Sequence, residues 1–482
     1  MANQASNGRG NGARPWPDLR LAAAIAAAKL ASTGIRRTGR GGGTSAPGLI
    51  ADRIDPALLT KLARRLERGA ILVAGTNGKT TTSRMIADIL EADGARVVHN
   101  RSGSNLVRGV VAAFADHATL TGEPGGDVAV IESDEAAFPA IAARVQPDII
   151  VLTNLFRDQL DRYGELNTIA QRWRAALQAL PPTTTLVVDA DDPTLTAITD
   201  DLPARRVTFG LHDVAYRLPE LPHAADAVTC RRCGADLAYD ALYVSHLGDW
   251  RCPSCGYARP SLDIAGTEVV LEGVESLRVT IRHGEGRSFT VSVGVPGLYN
   301  VYNVVAAASA AIAAGVPDTT ISRALAAFQA AFGRIERVSL RGRTLTLALV
   351  KNPVGFNEVL RMLTAATGSL TVPVLIAIND LTADGRDVSW LWDVDFELLA
   401  DGQVPVSTTG LRAADMANRL KYAGLAADRI VQRGTDMRAA LDAFVADLPE
   451  GGTGYILPTY TAMLELRQIL ADLGAVETFW RQ

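Results

Sequence analysis

The chain has 482 residues, of which 48% are hydrophobic and 21% are charged, a balance that is ordinary for a soluble globular protein of about two to four domains. Its 48 lysines and arginines nearly balance its 52 aspartates and glutamates, so the formal charge of −4 excludes a strong overall field for nucleic acid. We therefore predict no nucleic-acid partner.

The N-terminal residues are predicted to form a flexible segment over 1–45, because glycine and arginine are concentrated at 7–12 and 36–43. The alanine-rich stretch at 21–31 is apolar, but it is too short to cross a bilayer and has no small-residue cleavage site for secretion. We expect a cytoplasmic protein. The basic residues leave open a peripheral contact with the anionic cytoplasmic membrane, although a solvated linker is our preferred interpretation.

The first strand is predicted at 70–75, and it leads into a glycine-containing loop with lysine and threonine at the start of a helix. The loop and helix residues are Gly75, Thr76, Asn77, Gly78, Lys79, Thr80 and Thr81. Backbone N–H groups in such a loop point at phosphate oxygens, while Lys79 neutralises the outer phosphates and the Thr80 hydroxyl binds Mg²⁺. The pattern predicts a nucleoside triphosphate site, with an accidental match as the alternative.

Further short apolar runs alternate with helical patterns, which indicates a mostly parallel α/β sheet. The predicted strands lie at 95–99, 128–132, 149–153 and 185–189. Ligands gather beyond the carboxyl ends of such strands, and Glu132 ends one of them. Because magnesium prefers hard oxygen ligands, we expect Glu132 to hold Mg²⁺ beside the phosphates. The alternative is a solvated loop carboxylate.

The loop resembles the ATP loop of the Mur ligases, and four later segments resemble that family in the same order. They lie at 153–163, 188–193, 297–303 and 333–336. The resemblance implies a Mur ligase-like ATP-binding domain over 46–333, with Asn300 placed against adenine and Arg334 steadying the transferring phosphoryl group. Taken singly, Asn300 is interpreted as a helix cap and Arg334 as a surface residue.

The chain also departs from the Mur ligases that add amino acids. Those enzymes usually carry a histidine where this chain has Gln159, and a carbamylated lysine that holds a second magnesium. This chain has no lysine between Lys79 and Lys351. We therefore expect the second metal site to be altered or absent, which argues against standard amino-acid addition.

All four cysteines lie in one insertion, predicted at about 222–262. They form two C-x₂-C pairs, Cys230 with Cys233 and Cys252 with Cys255. This spacing suits tetrahedral thiolate ligation of a structural Zn²⁺ in a zinc ribbon, which leaves no open position for catalysis. The alternatives are disulfides and substitution of His223 or His246 as ligands. A third is a nucleic-acid ribbon in which three arginines contact phosphates, namely Arg231, Arg232 and Arg251.

A second alternation of apolar runs and helical patterns predicts a Rossmann-like α/β C-terminal domain over 334–482. Its strands are expected at 345–350, 374–378, 404–407, 429–432 and 455–457. The loop at 378–393, which ordinary Mur ligases lack, combines acidic and aromatic residues. We call it the acidic-aromatic loop. The alternative interpretation is a structured surface turn in which Trp390 and Trp392 only pack.

Three features together resemble the MurT family, the synthetase subunits of lipid II isoglutaminyl synthase. They are the glycine-containing loop at 75–81, which we call the phosphate loop, the cysteine ribbon at about 222–262, and the acidic-aromatic loop. The resemblance implies ATP-dependent amidation of the D-glutamate α-carboxylate of lipid II through an acyl phosphate, in peptidoglycan synthesis. It also implies a glutaminase partner of the GatD type, whose Cys–His pair is completed by Asp387, with Asp384 as the nearby alternative. Lys79 and Glu132 are the other expected catalytic residues.

Two other functions are compatible with the sequence. A Mur-type or folylpolyglutamate-type ligase would add a whole amino acid to its substrate. A nonenzymatic scaffold would bind nucleotide without turnover and use the ribbon to bind protein or RNA.

Overall fold

The computed structural model describes residues 18–38, 45–100, 104–157, 166–273, 275–329, 335–364 and 368–476. Within these residues two α/β units follow one another along the chain, each built on its own sheet, and a two-stranded hairpin is inserted in the first unit. The α/β class predicted from the alternation of apolar runs is confirmed.

The first described element is a helix, in a region that is predicted from the sequence to be flexible. Helix α1 (Leu19–Thr38) has an apolar face whose buried residues recur at helical spacing: Leu21, Ala24, Ile25 and Ala28. This face packs against helices α2 (Ser45–Ile54) and α5 (Val107–His117). The expectation of a flexible segment over 1–45 is therefore wrong for 19–35, because the alanine-rich stretch is amphipathic in a helix. Residues 1–17 and 39–44 lie outside the described residues.

The described helices can be compared with the length and hydropathy of a membrane span. Within the described ranges, no helix combines the length and the hydropathy that crossing a bilayer requires.

The first unit contains a sheet in which most strands are parallel. Its strands are β1 (Ala70–Ala74), β2 (Val97–His99), β3 (Val128–Ser133), β4 (Ile149–Leu152), β5 (Thr185–Asp189), β6 (Arg205–Leu211), β9 (Ile264–Glu272), β10 (Ser276–His283) and β11 (Arg287–Val293). Besides α1, α2 and α5, its helices are α3 (Leu58–Ala63), α4 (Lys79–Ala92), α6 (Phe138–Val145), α7 (Leu166–Gln178), α8 (Pro193–Thr199), α9 (Leu298–Ala313) and α10 (Asp318–Ala327). The strands predicted at 70–75, 95–99, 128–132, 149–153 and 185–189 are all present.

The strand order of this sheet places the phosphate loop at its centre. The order is β11-β10-β9-β6-β5-β4-β1-β3-β2, parallel from β2 to β9 and antiparallel from β9 to β11. Strand β1 therefore lies between β3 and β4, and the segments that follow these three strands emerge at the same edge.

The sheet is buried on both faces, which explains why β1 is a continuous apolar run. Ile71 and Val73 belong to a core shared with α4, α9 and α10. Leu72 and Ala74 belong to a second core, on the opposite face, shared with α1, α3, α5, α6 and α7. Because successive strand side chains point to opposite faces, a strand covered on both faces needs apolar residues at every position.

The cysteine-containing insertion lies between β6 and β9. It contains the antiparallel strands β7 (Ala238–Val244) and β8 (Leu247–Arg251). Near the tip of this hairpin, Tyr243, Val244 and Leu247 are buried in the core that includes α4 and α9. The hairpin is thus packed onto the first unit.

The second unit has a six-stranded sheet in the described ranges, in the order β12-β13-β17-β14-β15-β16. All neighbours are parallel except β12 and β13. The strands are β12 (Ile335–Leu340), β13 (Arg343–Ala348), β14 (Val374–Ala377), β15 (Val406–Thr409), β16 (Ile430–Gln432) and β17 (Thr453–Pro458). The helices are α11 (Pro353–Thr364), α12 (Ala413–Tyr422), α13 (Met437–Asp447) and α14 (Tyr460–Asp472), with 3₁₀ turns at Ser389–Asp393, Phe396–Leu399 and Ala427–Arg429.

Candidate functional site

The phosphate loop is a tight turn between β1 and α4. Gly78 precedes α4 with a φ of 82°, a left-handed conformation that favours glycine. A Cβ at Gly78 would lie 1.9 Å from the Oδ1 atom of Asn303. A Cβ at Gly75 would lie 2.0 Å from the Oγ1 atom of Thr153. Close packing therefore requires glycine at both positions, and the loop meets the N-terminus of α4, where helix geometry favours anions.

The segment that follows β4 holds this loop in place. The backbone N–H of Thr76 donates to the carbonyl of Asn154 at 3.0 Å, and the N–H of Asn77 donates to the Asn154 side-chain oxygen at 2.8 Å. The Thr76 hydroxyl donates to the carbonyl of Phe156 at 3.2 Å and accepts from the Phe156 N–H at 3.0 Å. Thr76 is therefore a structural residue of the loop.

The ammonium group of Lys79 is turned toward its own loop. It donates to the carbonyl oxygens of Gly75 at 2.6 Å and Thr76 at 3.0 Å, and it lies 3.1 Å from the Oε2 atom of Glu135. Only 8% of the Lys79 side chain and 5% of the Glu135 side chain are exposed. Glu135 was not predicted from the sequence as a site residue. Its position just after β3, three residues beyond Glu132, is the signal that could have found it.

Glu132 is buried near the end of β3, the strand beside β1. Asn100 holds its backbone with two hydrogen bonds of 2.9 Å, and the Oε1 atom of Glu132 lies 3.5 Å from the Nδ2 atom of Asn105. In the first turn of α4, Thr81 is buried and Thr80 is half-buried. A carboxylate and a hydroxyl are the hard oxygen donors that Mg²⁺ prefers, so the donor set of Glu132 and Thr80 fits this ion.

Asn300 and Asn303 lie in the N-terminal part of α9 and are both buried. The side-chain amide of Asn303 donates to the Oδ1 atom of Asn300 at 2.9 Å, and the Thr82 hydroxyl donates to the Oδ1 atom of Asn303 at 3.3 Å. Asn300 also donates to the carbonyl of Pro296 at 2.7 Å. Asn300 thus supports Asn303, which lines the cavity next to the phosphate loop. Arg334 lies outside the described residues.

This cavity, which we call the loop cavity, has a volume of about 100 Å³ and lies between the phosphate loop, the hairpin, α9 and α11. Its lining combines apolar side chains with amides and includes Asn77, Asn154, Asn303, Phe156, Tyr299 and Tyr302. Apolar and aromatic walls with a few amides suit a planar heterocycle better than a chain of phosphates. Asn352 of the second unit also lines the cavity and donates to the Oδ1 atom of Asn77 at 2.8 Å.

The aspartates of the segment at 188–193 have structural roles. Asp191 accepts hydrogen bonds from the Tyr302 hydroxyl and from the Arg259 guanidinium, each at 2.7 Å. Asp192 caps α8 by accepting two backbone N–H groups. Asp189 is fully buried, and burial raises the pKa of its carboxyl well above the usual range. The segment therefore joins β5, α8 and α9, and it fixes the position of Tyr302 in the wall of the loop cavity.

The two cysteine pairs come together at the open end of the hairpin. The Sγ atoms of Cys230 and Cys255 lie 3.6 Å apart, and those of Cys233 and Cys252 lie 3.5 Å apart. Sulfur atoms bound at about 2.3 Å to one tetrahedral ion lie about 3.8 Å apart, so the cluster has the dimensions of a zinc site. The separations exclude disulfides. The backbone N–H of Cys255 lowers the pKa of the Cys252 thiol to about 7, whereas desolvation and contacts with the other thiols raise the pKa of Cys255 to about 12, so Cys252 is the thiol of this pair that ionises first.

The two histidines considered as substitute ligands lie elsewhere. The ring of His246 is fully buried, with its centroid 4.7 Å from that of Phe156. His223 is exposed, and its Nδ1 atom lies 2.8 Å from a carboxylate oxygen of Asp395. In the described part of the chain, the metal-compatible cluster at the hairpin consists of the four cysteines alone.

The arginines of the ribbon are engaged within the chain. Their partners are Thr194 for Arg231, Asp200 for Arg232 and Asp240 for Arg251. These contacts occupy the guanidinium groups that the nucleic-acid interpretation assigns to phosphates.

Asp384 and Asp387 belong to the same loop but have opposite environments. Asp384 is buried and accepts hydrogen bonds from the N–H and hydroxyl of Thr461 and from the N–H of Leu381. Asp387 is exposed, and hydrogen bonds from the backbone and side chain of Ser389 lower the pKa of its carboxyl. Asp384 therefore fixes the loop, whereas Asp387 is accessible from outside the chain.

A second cavity of about 50 Å³, which we call the aspartate cavity, lies beside Asp387. Lys351 and Asn352 line both this cavity and the loop cavity. Arg157 also lines it, with its guanidinium 3.7 Å from the carboxylate of Asp393. The phosphate loop and the acidic-aromatic loop thus approach the same junction between the two units.

The aromatic residues of the acidic-aromatic loop pack as the surface-turn interpretation expects. The ring centroids of Trp390 and Phe356 lie 6.4 Å apart, and those of Trp392 and Tyr422 lie 5.6 Å apart. Trp392 is nevertheless 51% exposed. Packing therefore accounts for Trp390 more fully than for Trp392.

Two family models match the chain in the order of its two units. The model of the Mur ligase middle domain matches residues 73–231, and that of the MurT ligase C-terminal domain matches residues 349–463. The fold is also similar to that of a pseudomurein peptide ligase type C from Methanothermus fervidus. That comparison has a TM-score of 0.65 at 18% identity and covers 84% of this chain and 78% of the other.

Two relatives are similar over nearly the whole chain. Both are described as the subunit MurT of glutamine-hydrolysing lipid II isoglutaminyl synthase. The protein from Streptococcus pneumoniae is 33% identical over 91% of this chain and 94% of its own length. The protein from Staphylococcus aureus is 30% identical over 94% of this chain and 98% of its own length. With this extent of similarity, and with a MurT-type C-terminal unit behind a Mur-type phosphate loop, the chain belongs to the MurT family.

Proposed function

We propose that the protein is the synthetase subunit that amidates lipid II in peptidoglycan synthesis. ATP transfers its γ-phosphoryl group to the α-carboxylate of the D-glutamate in lipid II and leaves as ADP. Ammonia then attacks the acyl phosphate, phosphate departs, and D-isoglutamine is formed. The observation that carries the proposal is that Asn352 lines both the cavity at the phosphate loop and the cavity at Asp387.

Lys79 and the loop amides supply the chemistry at the phosphates. Their positive charge and N–H groups stabilise the charge that develops on the transferring phosphoryl group. Lys79 has to turn from its own loop carbonyls toward the nucleotide for this role, since its ammonium now contacts Gly75, Thr76 and Glu135. Mg²⁺ held by Thr80 and Glu132 would neutralise phosphate charge.

The loop cavity is the proposed site of adenine, with Asn303 as the amide that contacts the base and Asn300 as its support. We also propose that the first unit, 46–333, binds ATP and that the second, 334–482, closes over it. The hydrogen bond between Asn77 and Asn352 supports this division because it joins the phosphate loop to the second unit. Closure at this junction would protect the acyl phosphate from water.

A partner of the GatD type is proposed as the source of ammonia. The chain has four cysteines, all in the ribbon where a structural Zn²⁺ would bind them, so the nucleophile for glutamine hydrolysis must come from another chain. Asp387 is the proposed third member of that partner's Cys–His pair, because an exposed carboxylate can fix the histidine tautomer and stabilise the imidazolium.

Exposed apolar side chains support the proposal that a partner binds at the edge of the second sheet where strands β14, β15 and β17 end. Leu381, Leu411 and Tyr460 are 47%, 51% and 41% exposed, and they follow the adjacent strands β14, β15 and β17. Asn379 ties two of these segments together, since it accepts from the N–H of Leu411 and donates to the Thr461 hydroxyl.

The test is mass spectrometry of lipid II incubated with the purified chain, ATP, Mg²⁺ and an ammonium salt, without glutamine or partner. We expect exchange of one hydroxyl for an amine, and no product from Lys79→Ala. Addition of an amino-acid mass when amino acids are supplied would favour the Mur-type alternative. Nucleotide binding without any product, even after a GatD-type glutaminase and glutamine are added, would favour the scaffold.

A further inference from the structure

The hairpin between the cysteine pairs reaches the nucleotide side of the first unit. Val244, the last residue of β7, and Leu247, the first residue of β8, both line the loop cavity. They are buried, with 2% of each residue exposed. Gly78 of the phosphate loop and Asn303 of α9 line the same cavity. The insertion therefore forms part of the cavity wall.

The tip of the hairpin is fixed to the segments that build the cavity. The N–H of Asp226 donates to the Nδ1 atom of His246 at 3.3 Å, and the His246 ring packs against Phe156, which is itself a cavity residue. The Ser245 hydroxyl donates to the carbonyl of Ala224 at 2.7 Å. These contacts leave the tip little freedom to withdraw from the cavity.

Strand β8, which leads from the tip back to the second cysteine pair, is fixed as well. The N–H of Gly248 donates to the carbonyl of Asp191, and the indole N–H of Trp250 donates to the carbonyl of Ala190, each at 3.0 Å. Trp250 packs in one small core with Cys230 and Cys252. The cysteine cluster thus holds the strands whose tip reaches the nucleotide.

The tip also contacts the second unit. Arg361 of α11 donates to the carbonyl of Tyr243 at 2.8 Å and to the carboxylate of Glu358 at 2.6 Å. Glu358 and Val354, also of α11, line the loop cavity. The hairpin and α11 therefore form adjoining parts of one wall, and this wall is apolar where Val244, Leu247 and Val354 meet.

We propose that the hairpin tip is the nucleobase-contacting wall of the loop cavity, with Val244 and Leu247 as residues that set affinity for the base. The inference rests on the proposed nucleotide site. The phosphate loop supplies N–H groups and Lys79 for the phosphates, and the hairpin supplies apolar surface that only the base part of the ligand can use. On this view, the cysteine cluster serves nucleotide binding by holding the hairpin against the cavity.

The proposal is tested by calorimetric titration with two probes, ADP and inorganic tripolyphosphate, which has phosphates but no base. Leu247→Ala removes apolar contact area, and we expect its Kd for ADP to rise about 10-fold. Its Kd for tripolyphosphate should stay within about twofold of the wild-type value. The matched control is Asp240→Ala on the same hairpin, where an exposed ion pair with Arg251 is lost and both Kd values should be unchanged.

Hydrogen exchange on the wild-type chain provides a second measurement, which does not require any variant to fold. We expect ADP to slow amide exchange at 243–248, and tripolyphosphate to leave it unchanged. If ADP binds, but Leu247→Ala leaves the Kd for ADP unchanged and ADP does not slow exchange at 243–248, the proposed role of the hairpin is wrong and the nucleotide site stands. If neither probe binds the wild-type chain, the nucleotide site itself is wrong, and the inference with it.

Discussion

The ammonium group of Lys79 lies 3.1 Å from the carboxylate of Glu135, and both side chains are almost completely buried. The pair places a negative charge next to the lysine that is expected to meet phosphate. A nucleotide must therefore compete with Glu135 for Lys79, and the carboxylate repels the phosphates when they enter. Glu135 is thus expected to weaken nucleotide binding while it stabilises the nucleotide-free protein.

Glu135→Gln should separate these two effects. The substitution removes a charge partner of a buried lysine, and we expect the free energy of unfolding without nucleotide to fall by about 3 kcal/mol. ATP then restores the missing negative charge, so the rise in Tm on adding ATP and Mg²⁺ should be larger for the variant than for the wild type. Thermal unfolding with and without nucleotide measures both quantities. The exposed Glu67 provides the control as Glu67→Gln, and an equal rise in Tm for all three proteins would contradict the prediction.

Asp387→Asn should distinguish the two sources of ammonia. The amide cannot stabilise an imidazolium as a carboxylate does, so glutamine-driven amidation in the complex with the glutaminase should fall by about 10²- to 10⁴-fold. Amidation with ammonium salt should stay within about twofold of the wild-type rate. Asp393→Asn is the matched control, since Asp393 lines the same cavity. Equal losses with glutamine and with ammonium would remove Asp387 from the proposed triad.

Asp384 and Asp387 should differ in their effects on stability. Asp384→Ala leaves the part-buried N–H groups of Leu381 and Thr461 without their acceptor, which is expected to cost about 1–3 kcal/mol. Asp387→Ala removes an exposed side chain and should change the free energy of unfolding by less than about 0.5 kcal/mol. Urea unfolding of the two variants provides the comparison, and similar values for both would show that the loop is not fixed through Asp384.

The cysteine cluster should bind one zinc ion per chain. Elemental analysis of the purified protein measures the content directly, and Cys252→Ser should reduce both the zinc content and the Tm because a structural site contributes to folding free energy. Ser254→Ala, an exposed change inside the same C-x₂-C pair, should leave both values unchanged. A metal-free wild type with the same Tm as the Cys252→Ser variant would exclude the zinc site.

The sequence predicted β1 to β5 well because each is a short apolar run bounded by glycine, proline or polar residues, whereas β6, β9, β10 and β11 of the same sheet were not predicted. It did not predict α1, because alanine is weakly apolar and the burial of Leu21, Ala24, Ile25 and Ala28 depends on α2 and α5. The local sequence pattern of α1 carries no information about its contacts with α2 and α5. The phosphate loop was predicted because its glycines, lysine and threonine are contiguous along the chain.

The sequence predicted the contiguous residues of the phosphate loop and, from a strand end and the family resemblance, Glu132 and Asn300, but it missed Glu135 and Asn303. Glu135 and Asn303 reach the phosphate loop through the arrangement of β3 and α9, and neither lies near Lys79 along the chain. The choice between Asp384 and Asp387 likewise depends on Thr461, which is 77 residues from Asp384. His246 was considered as a substitute metal ligand, but it is buried because the hairpin tip packs on Phe156.

The hydrogen bonds that hold the phosphate loop have a consequence for synthesis of the chain on the ribosome. The loop is complete in sequence at Thr81, yet its hydrogen bonds run to Glu135, Asn154 and Phe156. A nascent chain that ends before Phe156 lacks at least one of these partners, so it cannot hold the loop in the conformation described here. Because closure of such distant contacts is a slow step of folding, nucleotide recognition is expected only after strands β3 and β4 have left the exit tunnel and joined β1.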